Sequence, residues 1–308
     1  MANAIGLRCY LITARKERDT ETLSFEDDFE FEFSPAPFLK NFVQTNSESV
    51  RDADRERSWY FEPKSFGPTE GSSKGYIHYG TFGFESNLVD SKTKKAEFRR
   101  KVDHVEEIPL FYEIWRPKGA DYAFAAFQSF AGRSCVTLVG EKIEEAFRIA
   151  NPGYVLKLKK LVPNDGSASV YAQAPVKQLR FIKRNASSDI ADRYIGEASN
   201  PIDMELLLKA RRKQSLGPFG TVSRNLKRSE AGVITYDGID FGEAIASIRV
   251  GGKYRPVGIF GISSDTGVID ITSDVKRGAD GHPSFESVEE QVKHILADFN
   301  STIASKMR

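Results

Sequence analysis

Cysteine is nearly missing from this chain. Its 308 residues include only Cys9 and Cys135, too few for a disulfide framework or a cysteine-rich zinc site. A reducing compartment is the simplest setting, so a cytoplasmic protein is expected. Histidine is scarce as well. His78, His104, His282 and His294 are scattered, and none lies four residues from another, which argues against a histidine-rich metal centre. No stretch approaches the ~18 apolar residues of a membrane span, so no membrane partner is expected. The first residues carry Arg8 inside their apolar run and no basic region before it; they read as a strand, not a signal peptide. The glycine fingerprints G-x-G-x-x-G and G-x-S-x-G do not occur, and Gly67 to Lys74 has the elements of a phosphate-binding loop in the wrong order. Methionine is rare, at 3 residues against 22 phenylalanines, which predicts a core built largely from rigid rings.

What the sequence does have is an uneven distribution of charge. Between Asn151 and Glu230 there are 15 Lys and Arg against 7 Asp and Glu, although the whole chain carries only +1. Clustered cations repel one another, and a polyanionic partner is a common reason to hold them together.

Hydrophobic periodicity predicts a mixed α+β fold with mainly antiparallel sheets. Ile5 to Ala14 reads as a strand. Gly75–Phe84, Glu97–His104, Ile108–Arg116 and Tyr122–Phe130 read as a meander, with Asp90-Ser91-Lys92 and Pro117-Lys118-Gly119 as turns. Ile108 to Trp115 is apolar on nearly both faces, as a central strand would be. Val136, Val139, Ile143 and Phe147 then mark an amphipathic helix near 134–150, with Ser134 as its cap and Asn151-Pro152-Gly153 as its stop. Ser287 and Glu290 form a capping box for a C-terminal helix near 288–305, with an apolar stripe from Val288 to Ile303. Between these helices, Tyr154–Val162, Val176–Arg184, Val233–Tyr236, Ala244–Val250, Tyr254–Ile262 and Gly267–Ile271 read as strands, with Gly251-Gly252 as a hairpin turn. Thr45 to Lys74 reads as a long polar connection, and Ser188 to Gly196 as a short helix. Asn200 to Lys213 satisfies both periods; its early acids, late bases and Pro201 favour a helix. Two lobes are expected: 1–165, with an acidic insertion at Glu26 to Phe33, and a basic lobe at 166–308. The acidic–aromatic insertion alternates like a solvated strand, or could mimic nucleic acid or cover the basic middle.

The candidate nucleic-acid-binding residues are Lys157, Lys159, Arg180, Arg184, Lys209, Arg212, Lys213, Arg224, Lys227 and Arg228. Each segment places its cations on one face, and neighbouring segments would make one phosphate-binding surface, whether for DNA or RNA. Tyr171 and Phe219 lie in predicted loops and could stack bases, whereas Phe181 falls on an apolar face. No zinc-finger or RNP-type reader module is present. An acidic protein is the alternative partner for the same charge.

Two weaker patterns bear on chemistry. Asp237, Asp240, Glu243 and Asp270 are the residue types of a Mg²⁺-dependent nuclease, without the usual spacing of acids and Lys along one strand. Magnesium is the only cofactor implied, and only by that alternative. Arg133 and Ser134, at a strand-to-helix junction, could hold an anion on helix N–H groups.

The run Phe127-Gln128-Ser129-Phe130-Ala131-Gly132-Arg133-Ser134, its following helix, and then Asn151-Pro152-Gly153-Tyr154 with a basic strand, resembles uncharacterised bacterial proteins of anti-phage defence loci. The resemblance implies a cytosolic sensor or accessory of bacterial immunity and assigns no catalytic residue. The sequence therefore supports a non-catalytic nucleic-acid-binding protein first, a Mg²⁺-dependent nuclease or a protein-binding adaptor second.

Overall fold

The structure is a computed structural model that describes residues 4–25, 34–163, 169–186, 202–224, 226, 234–236, 238–261 and 266–306. It is mixed α+β and dominated by antiparallel strands. The chain forms two compact units. One comprises Tyr10–Lys159; the other comprises Lys160 onward together with Ala4–Cys9. The first strand, β1 (Ile5–Lys16), therefore contributes to both.

In the first unit follow α1 (Pro35–Thr45), β2 (Val50–Asp52), β3 (Arg57–Phe66), β4 (Ser73–Thr81), β5 (Ser86–Val89), β6 (Ala96–Arg100), β7 (Glu106–Trp115), β8 (Ala123–Phe130), α2 (Val136–Ala150) and β9 (Tyr154–Lys160). The sheet runs β1-β8-β7-β4-β3-β2, with β9 also on β1. All eight residues of β8 are buried, as expected for Ala, Phe, Gln and Ser residues in a strand covered on both faces. An aromatic layer joins the helices to the sheet. Phe38 of α1 meets Phe147 of α2 edge-on at 5.0 Å, Phe42 stacks on Trp59 of β3 at 6.4 Å, and Phe61 meets Tyr112 of β7 at 4.8 Å. The abundance of phenylalanine is thus used where the composition predicts. β5 and β6 form a separate hairpin.

Three expectations for this unit need correction. The polar connection from Thr45 to Lys74 contains β2 and β3. Trp59 and Phe61 point inward on alternate residues while Tyr60 and Glu62 point outward, and Pro63 is accommodated beside a register shift between Pro63 and Ser65. Gly75 opposite that bulge is required, because a Cβ there would lie 2.2 Å from the Glu62 carbonyl oxygen. Asp90-Ser91-Lys92 turns within the β5–β6 hairpin and does not join larger strands. The helix α2 starts at Val136 with Cys135 at its N-cap; Ser134 Oγ accepts only a 3.5 Å bond from the Val136 N–H.

The second unit contains β10 (Val176–Ala186), β11 (Ile202–Lys209), α3 (Phe219–Arg224), β12 (Ile234–Tyr236), β13 (Ile239–Phe241), β14 (Glu243–Val250), β15 (Lys253–Phe260), β16 (Ile269–Asp270) and α4 (Phe285–Lys306). Its sheet runs β11-β10-β14-β15-β16, closed by the Ile5–Cys9 half of β1 through Gly6↔Asp270 and Leu7↔Ile269. β12 and β13 pair separately. The segment from Ile202 to Lys209 is a strand, not the helix favoured by its charge order. Met204, Leu206 and Leu208 are half-buried and the alternate residues exposed; a ready ladder on β10 favours the period of two over the helix dipole. The predicted helix at Ser188–Gly196 lies outside the described residues, as does the acidic run Glu26–Phe33.

The terminal helix is as its stripe predicts, with Val288, Val292, Ile295, Leu296 and Phe299 buried, but its cap is three residues earlier than read. The Ser287 N–H donates to Ser284 Oγ at 3.4 Å, and Ser287 lies inside the helix, its hydroxyl bonding Ser284 O at 3.0 Å. A buried arginine fixes this helix to the β14–β15 hairpin. Arg255, 1% exposed, donates Nε to Asp274 Oδ2 at 2.7 Å, Nη2 to Gln291 Oε1 at 2.7 Å, and Nη1 to the Val250 carbonyl. In the hairpin turn, the Gly251 N–H donates to Asp298 Oδ2 at 2.9 Å.

Candidate functional site

The cations singled out by sequence are divided between the units. Lys157 and Lys159 are on β9 of the first, and the remaining described ones are in the second. On β9 the charge of Lys157 is offset locally. Glu144 of α2 takes a 2.9 Å contact from Lys157 Nζ on one carboxylate oxygen and the Leu158 N–H, also at 2.9 Å, on the other. On β10, Arg184 lies between Asp203 at 2.9 Å and Glu243 at 3.5 Å. The bond to Asp203, then the field of Glu243, raises its pKa above the ordinary arginine value. Arg180 has only a 3.9 Å approach to Glu205. Arg224 ends the six-residue α3 and donates Nε to Gly220 O at 3.1 Å. Lys227 and Arg228 lie outside the described residues.

Lys209, Arg212 and Lys213 behave differently. Lys209 closes β11 opposite Gln178 of β10, and the chain turns immediately through 210–214. Lys177 Nζ holds that turn by donating to Arg211 O at 2.6 Å and Gln214 O at 2.8 Å, and the Ala210 N–H bonds Lys177 O at 3.0 Å. One ammonium thus ties together two carbonyls of the turn, of which Arg211 O also accepts the Gln214 N–H at 3.0 Å. The side chains of Lys209, Arg211, Arg212 and Lys213 are all exposed, and among the described residues none makes an ion pair with an acid. Arg180 is on the same ladder face, two residues along from the partner of Lys209. Arg249 is brought to this end of the sheet as well, its N–H bonding Pro175 O at 3.1 Å.

Sequence reasoning missed Arg211, Lys177 and Arg249. A helix over 200–213 would put Lys209, Arg212 and Lys213 on one face and Arg211 on another; in a turn that grouping has no meaning. The uninterrupted Arg211-Arg212-Lys213 run was the available signal. The proposed stacking rings also move: Tyr171 and Phe219 are fully buried, Tyr171 edge-on to Phe299 of α4 at 5.2 Å, so neither faces solvent. Phe181 is core, as its face predicts.

The described carboxylates of the nuclease reading do not form a metal-binding cluster. Asp240 accepts the Thr235 hydroxyl at 2.6 Å, Glu243 faces Arg184, and Asp270 caps its own turn by accepting the Thr272 N–H at 2.8 Å. Asp237 lies outside the described residues. Among the described residues, no three His, Cys, Asp or Glu side chains converge to hold a metal ion. At the candidate anion site, Arg133 is paired with Glu106, and Ala131 and Gly132, both at positive φ, make the turn into α2. His78 is equally committed: Nε2 faces Glu62 at 2.6 Å and Nδ1 faces Glu107 at 2.9 Å, with its ring stacked on Tyr60 at 4.7 Å.

Comparison with known proteins adds no family to this geometry: no protein-family model matches the chain, and a search of curated proteins found no match. Among the described residues no helix is long and apolar enough to cross a membrane.

Proposed function

We propose that this is a non-catalytic nucleic-acid-binding protein whose contact surface is the cationic end of the β10–β11 ladder. The observation that carries this reading is the set of exposed side chains at Lys209, which ends β11, and at Arg211, Arg212 and Lys213 on the turn that follows, none of them in an ion pair with an acid among the described residues. Cations so placed neutralise phosphates and release condensed counterions, which gives affinity without base selection. Arg180 and Arg249 extend the footprint, while Lys157 and Arg184, already offset by carboxylates, add little. The scarcity of cysteine, with Cys9 and Cys135 both buried, supports a cytoplasmic setting. The resemblance of the Phe127–Tyr154 region to proteins of anti-phage loci supports a role in bacterial immunity.

Filter binding of labelled single- and double-stranded DNA and RNA over a salt series tests the reading. Replacing all four turn cations with Gln is expected to reduce the slope of log K against log salt by about 3, near the 0.7–0.9 expected per lost phosphate contact. Lys157→Gln is expected to leave the slope unchanged. A fourfold variant that keeps the parental affinity and slope rejects this surface. Cleavage of the same substrates on adding Mg²⁺, abolished by chelator, would reject the non-catalytic part.

A further inference from the structure

We propose that the β5–β6 hairpin of the first unit is a docking surface for an acidic polypeptide segment carrying a bulky apolar anchor. Exposed large hydrophobic side chains are scattered thinly over the described residues, except here. Phe84, Leu88, Val89, Phe98 and Val102 are each about half exposed within a single stretch of the chain. Patches of this kind, rimmed by charge, mark interaction sites.

The patch is concave and held in shape. Leu88 and Phe98 sit directly opposite each other across the hairpin. With His104 and Val105 they line a groove of about 530 Å³, a size suited to a few side chains. Its base is rigid because Arg100, itself buried, bonds the Thr81 carbonyl, His104 O at 3.3 Å and Glu106 at 3.1 Å, and covers the Phe84 ring at 4.2 Å. A preformed groove avoids the ordering cost of binding.

Charge at the rim selects the partner. From Glu85 to Glu106, the span that lines the groove, there are six Lys and Arg against five Asp and Glu, of which Glu106 is taken by Arg100 and Arg133. Of those acids, Glu85 pairs with Arg99, and Asp90 accepts the Lys92 and Thr93 N–H groups inside the turn. Lys92, Lys94 and Lys95 at the tip, and Lys101 beyond, are exposed and make no ion pair among the described residues. An anionic segment crossing the rim is therefore attracted, and its apolar residue enters the groove.

Two other anionic partners fit less well. A membrane-inserting hairpin needs apolar residues at its tip, whereas this tip is Ser91, Lys92, Thr93 and Lys94, with the apolar residues behind it. Single-stranded nucleic acid stacks on ring faces, and here His104 at 5.5 Å takes one face of Phe98 and Arg100 one face of Phe84, which leaves less ring surface for bases.

The test uses the full chain and fluorescein-labelled twelve-residue peptides in which Glu alternates with Phe, Leu or Trp, followed by fluorescence anisotropy. Phosphatidylserine vesicles and oligo-dT serve as the competing arms. At least one peptide is expected to bind, and its Glu→Gln or apolar→Ala version to bind at least tenfold more weakly. Leu88→Ser with Phe98→Ser, and separately Lys92→Glu, Lys94→Glu and Lys95→Glu together, are each expected to cost at least tenfold in peptide affinity. Both are expected to leave oligo-dT binding unchanged, which separates this surface from the β10–β11 turn. Failure of every peptide to bind overturns the proposal, as does parental peptide affinity in both variants, or selective loss of vesicle or oligo-dT binding. Should the serine variant lose its thermal transition, the lysine variant, altered only in solvent, decides.

Discussion

Arg255 and the turn at Lys209–Lys213 are two cationic regions of the same unit, and they put their charge to opposite use. Arg255 is buried, and Asp274, Gln291 and the Val250 carbonyl take up its N–H groups. The turn exposes four cations, none of them engaged with an acid among the described residues, while its backbone is held by Lys177. A count of Lys and Arg does not separate the two cases. The separation comes from asking where each N–H goes. A guanidinium whose donors are all satisfied inside the fold is a strut; one with its donors in water is available to a phosphate.

The contrast is open to direct attack, and the strongest blow falls on Arg255. Arg255→Met is expected to destabilise the protein by about 3 kcal/mol in urea unfolding, because Asp274 loses its closest buried partner and Gln291 the nearer of its two donors. Lys253, 3.3 Å from Asp274, softens the loss. Unfolding indistinguishable from the parent would show that the network is not a strut. Next is Gly251→Ala in the adjoining turn. Gly251 has φ +58°, and a Cβ there would lie 3.0 Å from the Ile295 backbone nitrogen in α4, so a cost of about 1–2 kcal/mol is expected. The smallest effect belongs to the turn. Converting Lys209, Arg211, Arg212 and Lys213 to Gln is expected to change stability by no more than about 0.5 kcal/mol per site, while removing most of the polyanion binding. A large loss of stability in that variant would erase the distinction.

Much of the fold was legible because long periodic segments carry their own evidence. The stripe of α2, the stripe of α4 and the Gly251-Gly252 hairpin follow from spacing alone. β3 was hidden because its outward residues are polar and Pro63 interrupts it; only the packing of Trp59 and Phe61 under α1 reveals a strand. β11 was ambiguous because its charges suit a helix while its leucines suit a ladder, and only β10 decides. For the candidate site, the enrichment in cations was visible but its use was not. That Glu144 offsets Lys157, or that Asp203 and Glu243 flank Arg184, depends on which elements become neighbours. Tyr171 and Phe219 looked like loop residues because nothing in the local sequence announces their burial; Tyr171 is covered by Phe299, from the far end of the chain.

The division of β1 between the two units has a consequence for how the protein is made. Ile5 N–H donates to the Thr272 hydroxyl at 2.8 Å across 267 residues of sequence. During synthesis the beginning of this strand waits for nearly everything that follows before its ladder with β16 can close, and such distant pairings form slowly. β8 and β9 are made earlier and can pair with β1 first, but the edge meant for β16 stays open until the end, and an open apolar edge invites wrong pairing.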